Sequence, residues 1–233
     1  MRIIDALNIY LSFIYKKPTS IFFMKLKLIT LFALFCVTLA QAQHASFEAS
    51  TGGFSFIPAF TSEDPHLIVN AGTTDTKRLS FHLLSTIRLE NFNPRGVIFM
   101  SRYKFIDKKL KASIGVHLPA IQIDKDLHVD TFFAQEVIAS YPLSNKWSLG
   151  LFYLHGEGRN NDFKANFLAL STTLVEGNFN FLTQAYGLDL DSTYGVSETI
   201  TYKVTKSIDF RGFANKTISN GKFNWTLGAR YNL

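Results

Sequence analysis

The sequence predicts an all-β protein, a transmembrane up-and-down antiparallel barrel of about twelve strands, with ten to fourteen as the outer bounds. Three observations predict it. Apolar and polar residues alternate with a period of two over stretches of about ten residues, each bounded by turn residues. After residue 42 no apolar run approaches the length of a membrane helix. The connections fall into two classes, tight turns after even-numbered strands and mostly longer or more irregular links after odd-numbered ones, the last of which, Ser219-Asn220-Gly221, is short.

The chain opens with residues unlike the rest. Residues 1–23 fit no export pattern and read as a start assigned too early or an extension. Met24-Lys25-Leu26-Lys27 is then a short positive stretch, Leu28–Leu39 an uninterrupted apolar run, and Ala40-Gln41-Ala42 a small-residue site. These are the three regions of a secretory signal peptide over 24–42, with cleavage expected after Ala42. Twelve helical residues span about 18 Å, short of a hydrocarbon core of roughly 30 Å. The single cysteine, Cys36, lies in that run, so residues 43–233 hold no thiol for a disulfide, catalyst or thiolate metal site.

The barrel is expected over 43–233. Strands at 45–57 and 66–73 come first. Leu79, Phe81, Leu83, Ile87 and Leu89 alternate with Ser80, His82, Thr86, Arg88 and Glu90 in the third. Val97, Phe99, Tyr103 and Phe105 alternate with Met100, Arg102 and Lys104 in the fourth. Leu110, Ala112, Ile114, Val116 and Leu118 alternate with Lys111, Ser113, Gly115 and His117 in the fifth, with a link expected at Pro119–His128. Weaker alternation places strands near 130–141, 147–156, 163–174, 178–188, 196–204 and 208–215. Phe223, Trp225, Leu227, Ala229, Tyr231 and Leu233 alternate with Asn224, Thr226, Gly228 and Arg230 in the last.

Alternation alone does not say which face is inside, and a soluble exported β-protein would point its apolar face inward. Three features favour apolar-out. Twelve strands leave a lumen that needs water or polar packing. The opposite face is heavily charged: Arg88, Glu90, Arg102, Lys104, Lys111, Glu136, Lys164, Asp209, Arg211 and Arg230. Tyr103, Tyr141, Trp147, Trp225 and Tyr231 fall towards strand ends, where amphipathic rings suit a membrane interface.

On these residues the chain resembles the Gram-negative outer-membrane β-barrel proteins of porin-like type. The local motif is the C-terminal strand Phe223–Leu233, with an aromatic, Tyr231, at the third position from the end. The family usually closes on an aromatic residue where this chain has Leu233. The resemblance implies an outer-membrane location, contact with outer-membrane lipid, and recognition of that strand by the barrel-assembly machinery.

Charge excludes one class of partner. The formal net charge is +6, from 24 basic and 18 acidic residues. Arg2, Lys16, Lys17, Lys25 and Lys27 against Asp5 lie in the first 42, which leaves 19 and 17, or +2. No nucleic-acid partner is expected, since the remaining basic residues alternate with apolar ones rather than forming a platform. No cofactor is implied, because phosphate-cradling glycine motifs are absent. No metal site is expected either: His44, His66, His82, His117, His128 and His155 show no ligand spacing.

Two constellations remain. At one rim, His155 and Glu157 stand two apart, where outer-membrane lipid hydrolases carry a His and a Ser. Glu157 takes the serine position, so the nucleophile is missing and the pair is a weak catalytic candidate. Within the lumen, basic residues outnumber acids and would favour anionic solutes. The expected function is a passive pore for small polar solutes. The alternatives are a closed structural or adhesion barrel with a salt-bridged lumen, a lipid-modifying enzyme using His155, and the soluble β-protein. No connection is long enough to predict a constriction loop.

Overall fold

The computed structural model describes residues 44–52, 57–74 and 76–233. The expected signal peptide, its cleavage site and residues 1–23 lie outside the described residues.

Twelve antiparallel strands close into a barrel: β1 His44–Ser50, β2 His66–Gly72, β3 Leu79–Arg88, β4 Pro94–Asp107, β5 Lys111–Ile123, β6 Val129–Pro142, β7 Trp147–Gly158, β8 Lys164–Glu176, β9 Phe179–Leu188, β10 Thr193–Lys203, β11 Ile208–Thr217 and β12 Phe223–Asn232. Each pairs with its sequence neighbours, and β1 closes the ring on β12 with Ser46 opposite Asn232 and Ser50 opposite Gly228. Leu233 extends that seam, its N–H donating to Ala45 O at 2.9 Å. Closure leaves no free strand edge, the condition for backbone placed in hydrocarbon.

The pleat sorts side chains as alternation predicts. Leu79, Phe81, Tyr103, Phe105, Ile114, Val116, Leu149, Leu151, Leu168, Leu170, Val196, Ile200, Phe210, Trp225 and Leu227 are exposed on the outside. Ser80, His82, Arg88, His117, Glu136, Gln184, Ser197, Thr199, Asp209 and Asn215 are buried inside. An apolar exterior around a polar interior inverts the arrangement of a soluble β-fold and is that of a bilayer-spanning barrel.

Register shifts cluster in β3–β6, at Thr86/Ile87, Ile98/Met100, Lys104/Ile106 and His117/Ala120. The last corrects the expected link at Pro119–His128. Proline has no N–H for the ladder and reads as a strand end, but Pro119 sits in a bulge where the ladder is already interrupted. The strand resumes at Ala120, opposite Phe132, and runs to Ile123. Only 124–128 form the link.

A second correction concerns the first strand, expected over 45–57. β1 ends at Ser50 and β2 begins at His66, and the described residues of the link between them, 51–52 and 57–65, lie outside both strands. A single 3₁₀ turn, η1 Pro58–Phe60, lies in that link with proline at its start. Ile57 belongs to one buried apolar cluster with Ala134, Leu154, Phe167, Tyr186 and Leu188 of β6–β9. Asn215 Nδ2 donates to Pro58 O at 3.1 Å, and Asn215 Oδ1 in turn accepts from Tyr186 Oη at 3.0 Å. Residues 57–60 of the link are therefore folded into the barrel interior, which the length of the connection alone did not reveal. The signal was composition: apolar residues at Ile57, Ala59 and Phe60 stand in a connection where turn residues are the rule.

Candidate functional site in the barrel lumen

The inner wall carries the charges, and most are paired along the wall. On one side Arg102 of β4 reaches over β5 to Glu136 of β6, its Nε bonding Oε1 and its Nη2 lying 3.2 Å from Oε2. His117 Nε2 lies 3.0 Å from the same Oε2, and the Glu136 side chain is fully buried. Gly115, opposite both Arg102 and Glu136, makes room: a Cβ there would stand 2.5 Å from Glu136 Oε1.

On the far side Arg211 Nη1 donates to Glu48 Oε2 at 2.6 Å. Arg230 places Nε and Nη2 at 3.1 and 2.6 Å from Asp209 Oδ2, which also accepts from Asn232 at 2.9 Å. Lys104 lies 3.5 Å from Asp107 near the turn end. A buried charge needs such a partner, and apart from Lys104–Asp107 within β4, each pair here joins strands that are neighbours or separated by one other. The pairs brace the wall rather than bridge the lumen.

Arg88 is arranged differently. It donates to two backbone carbonyls, Pro94 O at 3.0 Å and Ile123 O at 2.7 Å, and its Nε is buried without a hydrogen-bond partner. The sequence missed its neighbour Arg95, which the bulge at Thr86/Ile87 brings into the lumen against strict alternation. His117, which shows no ligand spacing in the sequence, is part of the Glu136 cluster.

Several expected lumen residues lie elsewhere. Glu90 falls in the link 89–93, outside the strands. Lys111 is exposed at the start of β5, at the turn end. Lys164 is on the outer face: it is in register with Glu157 and lies 3.3 Å from its carboxylate. Parity along β8 was misjudged because Lys164 precedes Ala165, Phe167 and Ala169, and those apolar residues point inward to meet the inserted segment.

His155 and Glu157 share that outer face. His155 Nε2 lies 3.1 Å from Glu157 Oε1 and Nδ1 lies 2.8 Å from Asn166 Oδ1. Asn166 also accepts from Tyr153 Oη at 2.7 Å and donates its side-chain amide to Asp189 Oδ2 at 2.5 Å. The carboxylate of Asp189, in the link after β9, is held below the usual aspartate range chiefly by the Asn166 backbone N–H, with the Asn166 side chain next. The group is a continuous polar chain on the outer rim, and no serine or threonine hydroxyl is hydrogen-bonded to His155 in it. Glu198 faces outward too, between exposed Val196 and Ile200, and accepts from Thr183 Oγ1 at 2.6 Å.

Tyr103, Tyr141, Trp147, Trp225 and Tyr231 are all exposed on the exterior. Tyr103, Tyr141, Trp147 and Tyr231 lie towards the short-turn end and Trp225 towards the other. Lys109 Nζ stands 4.7 Å from the centre of the Tyr141 ring.

Among the described residues one group has metal-ligand proximity, Asp124, Asp126 and His128 in the link between β5 and β6. Asp124 Oδ1 already accepts the N–H groups of Asp126 and His128, both at 2.8 Å, which makes it a turn-forming aspartate.

Between the inserted segment, β2–β7 and the link before β8 lies a cavity of about 590 Å³. Its wall includes Ile57, Phe60, His66, Leu84, Arg95, Ile98, His117, Gln122, Asp130, Phe132, Leu154 and Phe163. The interior on this side is thus more apolar than the charge pattern predicts.

No protein-family model matches the chain, and no curated protein matches it. Solved structures do. The chain is similar to KdgM porin in complex with disordered oligogalacturonate, with a TM-score of 0.61 and 7% identity over 81% of this chain and 98% of that one. It is similar to NanC porin with a TM-score of 0.54 and 11% identity over 81% and 97%. The class that fold and lumen define is the porin-like barrel. At these identities the likeness is one of fold.

Proposed function

We propose that the protein resides in the outer membrane, exported by the segment at 24–42, and forms a passive pore for small polar solutes that favours anions. The observation that carries this reading is the inner wall, where Arg88 and Arg95 stand in no ion pair among the described residues while Glu48, Glu136 and Asp209 are each taken up by an arginine. Uncompensated positive charge in a confined lumen raises the local anion concentration. The similar KdgM porin, solved in complex with oligogalacturonate, agrees with this. The C-terminal strand Phe223–Leu233 would present its alternating apolar face to the assembly machinery, and the exterior aromatics would sit at the lipid interfaces.

The test is conductance in planar bilayers under a salt gradient. We expect discrete channels whose reversal potential lies on the anion side of zero. Correctly folded protein that conducts nothing would refute the pore.

One observation favours the closed structural barrel instead, namely the segment at 57–61 packed into the lumen. That reading predicts silence in bilayers from the unaltered protein. The reading as a lipid-modifying enzyme requires a nucleophile beside His155, where Glu157 and Asn166 stand.

A further inference from the structure

The cavity beside the inserted segment is built for a particular kind of solute. Its volume of about 590 Å³ lies within the range of small-molecule sites and is too small for a polymer. Its body is apolar: Leu84, Ile98, Phe132, Leu154 and Phe163 line it, and the Phe132 and Phe163 rings meet edge to face at 5.4 Å. This part of the surface contributes through burial of apolar area, while Thr86, Gln122 and Asn161 stand elsewhere on the wall.

One end is cationic. Arg95 lines the cavity half-buried, with no hydrogen bond or ion pair to any described residue. Its charged neighbours are Asp64 and Arg88. Asp64 Oδ1 is already 3.4 Å from Lys125 Nζ. Arg88, 5% exposed, adds a second positive charge whose Nε has no partner. The acid among the lining residues, Asp130, accepts from Asn161 Nδ2 at 2.8 Å. Both nearby carboxylates are therefore engaged elsewhere, Arg88 spends both its Nη atoms on carbonyls, and Arg95 on the cavity wall presents a planar fork suited to an incoming carboxylate.

We infer that this cavity is a binding site for small amphipathic carboxylates, with the acid on Arg95 and an aromatic or short aliphatic body between Phe132, Phe163 and Leu154. This rests on the pore reading and narrows it, because the anion preferred by the lumen would be one with an apolar body. Such a site would retain its solute briefly on the way through the barrel, and Ile57 and Phe60 of the inserted segment would form one wall.

The experiment is calorimetric titration of the folded protein in detergent with three probes. Phenylacetate carries both features, 2-phenylethanol has the body without the charge, and glucuronate has the charge without the apolar body. Phenylacetate is expected to bind at least about tenfold more tightly than either, in keeping with a charge-assisted pair added to an apolar contact. Arg95→Gln should bring phenylacetate down to the level of 2-phenylethanol while leaving heat-modifiable mobility on gels unchanged. Equal binding of glucuronate, no binding of phenylacetate, or an Arg95→Gln variant with unaltered affinity would overturn the inference. Conductance separates the two readings. Channels without phenylacetate binding refute the site alone, and binding without channels refutes the pore alone.

Discussion

Arg102 and Glu136 meet across a strand that neither belongs to, and they do so because the residue between them is Gly115. A valine there would put its Cβ 2.5 Å from Glu136 Oε1 and 3.0 Å from Arg102 Cγ. The carboxylate would have to leave the pair, and buried charges would lose their partner. Gly115→Val is expected to cost about 3 kcal/mol of stability, the usual scale for breaking a buried ion pair. The urea midpoint of the gel-mobility shift reads this. Glu136→Gln should fall in the same direction, since it leaves Arg102 and His117 facing a neutral amide. An unshifted midpoint in both would mean that the cluster does not hold the wall.

The inserted segment is anchored by one apolar side chain and one amide. Ile57 is 7% exposed within the cluster around Phe167 and Tyr186. Ile57→Asp would place a carboxylate among apolar groups at a cost of several kcal/mol, more than a short link held by few contacts can bear. The segment should leave the lumen, and single-channel conductance should rise by roughly twofold or more, the area effect of clearing a constriction. Conductance equal to that of the unaltered protein would show that the segment does not limit flow.

Much of this architecture is legible in sequence because a barrel repeats one rule. Period-two alternation fixes the inside and outside of β3, β4 and β12, and turn residues fix most links. The departures are places where something else acts on the pleat. Pro119 reads as a stop, but a bulge accommodates it. Arg95 enters the lumen because a bulge shifts the register. Phe167 and Tyr186 turn inward because Ile57, from a link far away in sequence, offers them an apolar partner. Phase along β8 follows from that contact, so Lys164 was placed on the wrong wall. Such long-range pairings leave no periodic trace, whereas the ion pairs were foreshadowed as residue types and became specific only through Gly115 and the wall register.

The reassigned face of Lys164 is open to direct measurement. Residues 43–233 contain no cysteine, so one introduced there is unique in the barrel. Gln122 lines the cavity and Lys164 faces outward beside Glu157. Attaching a charged methanethiosulfonate group to Gln122→Cys is expected to cut conductance by about half, by adding bulk and charge within the path. The same label on Lys164→Cys should leave conductance unchanged. Equal effects at the two positions would return Lys164 to the lumen.

The outer rim should respond to acid through Asp189. Its carboxylate accepts the Asn166 N–H at 2.6 Å and the Asn166 side-chain amide at 2.5 Å. These bonds favour the charged form and lower the pKa, the Asn166 backbone contribution being the largest. A depressed carboxylate contributes stability that is present above its unfolded value, near 3.9, and is lost as pH falls through the lower folded value. The rim should therefore be fully ordered at neutral pH and loosen only in strong acid. The Asn166 amide proton resonance reports it, moving upfield with a midpoint below the ordinary aspartate value. Asp189→Asn removes the charge at every pH, so its amide shift should match the acid form already at neutral pH. The link 189–192 should then be cleaved faster by added protease, because Asp191 and Ser192 hold positive φ angles of 54° and 49° that a weakened anchor no longer secures. A midpoint at or above the ordinary value would mean that the Asn166 contact does not form in the folded protein.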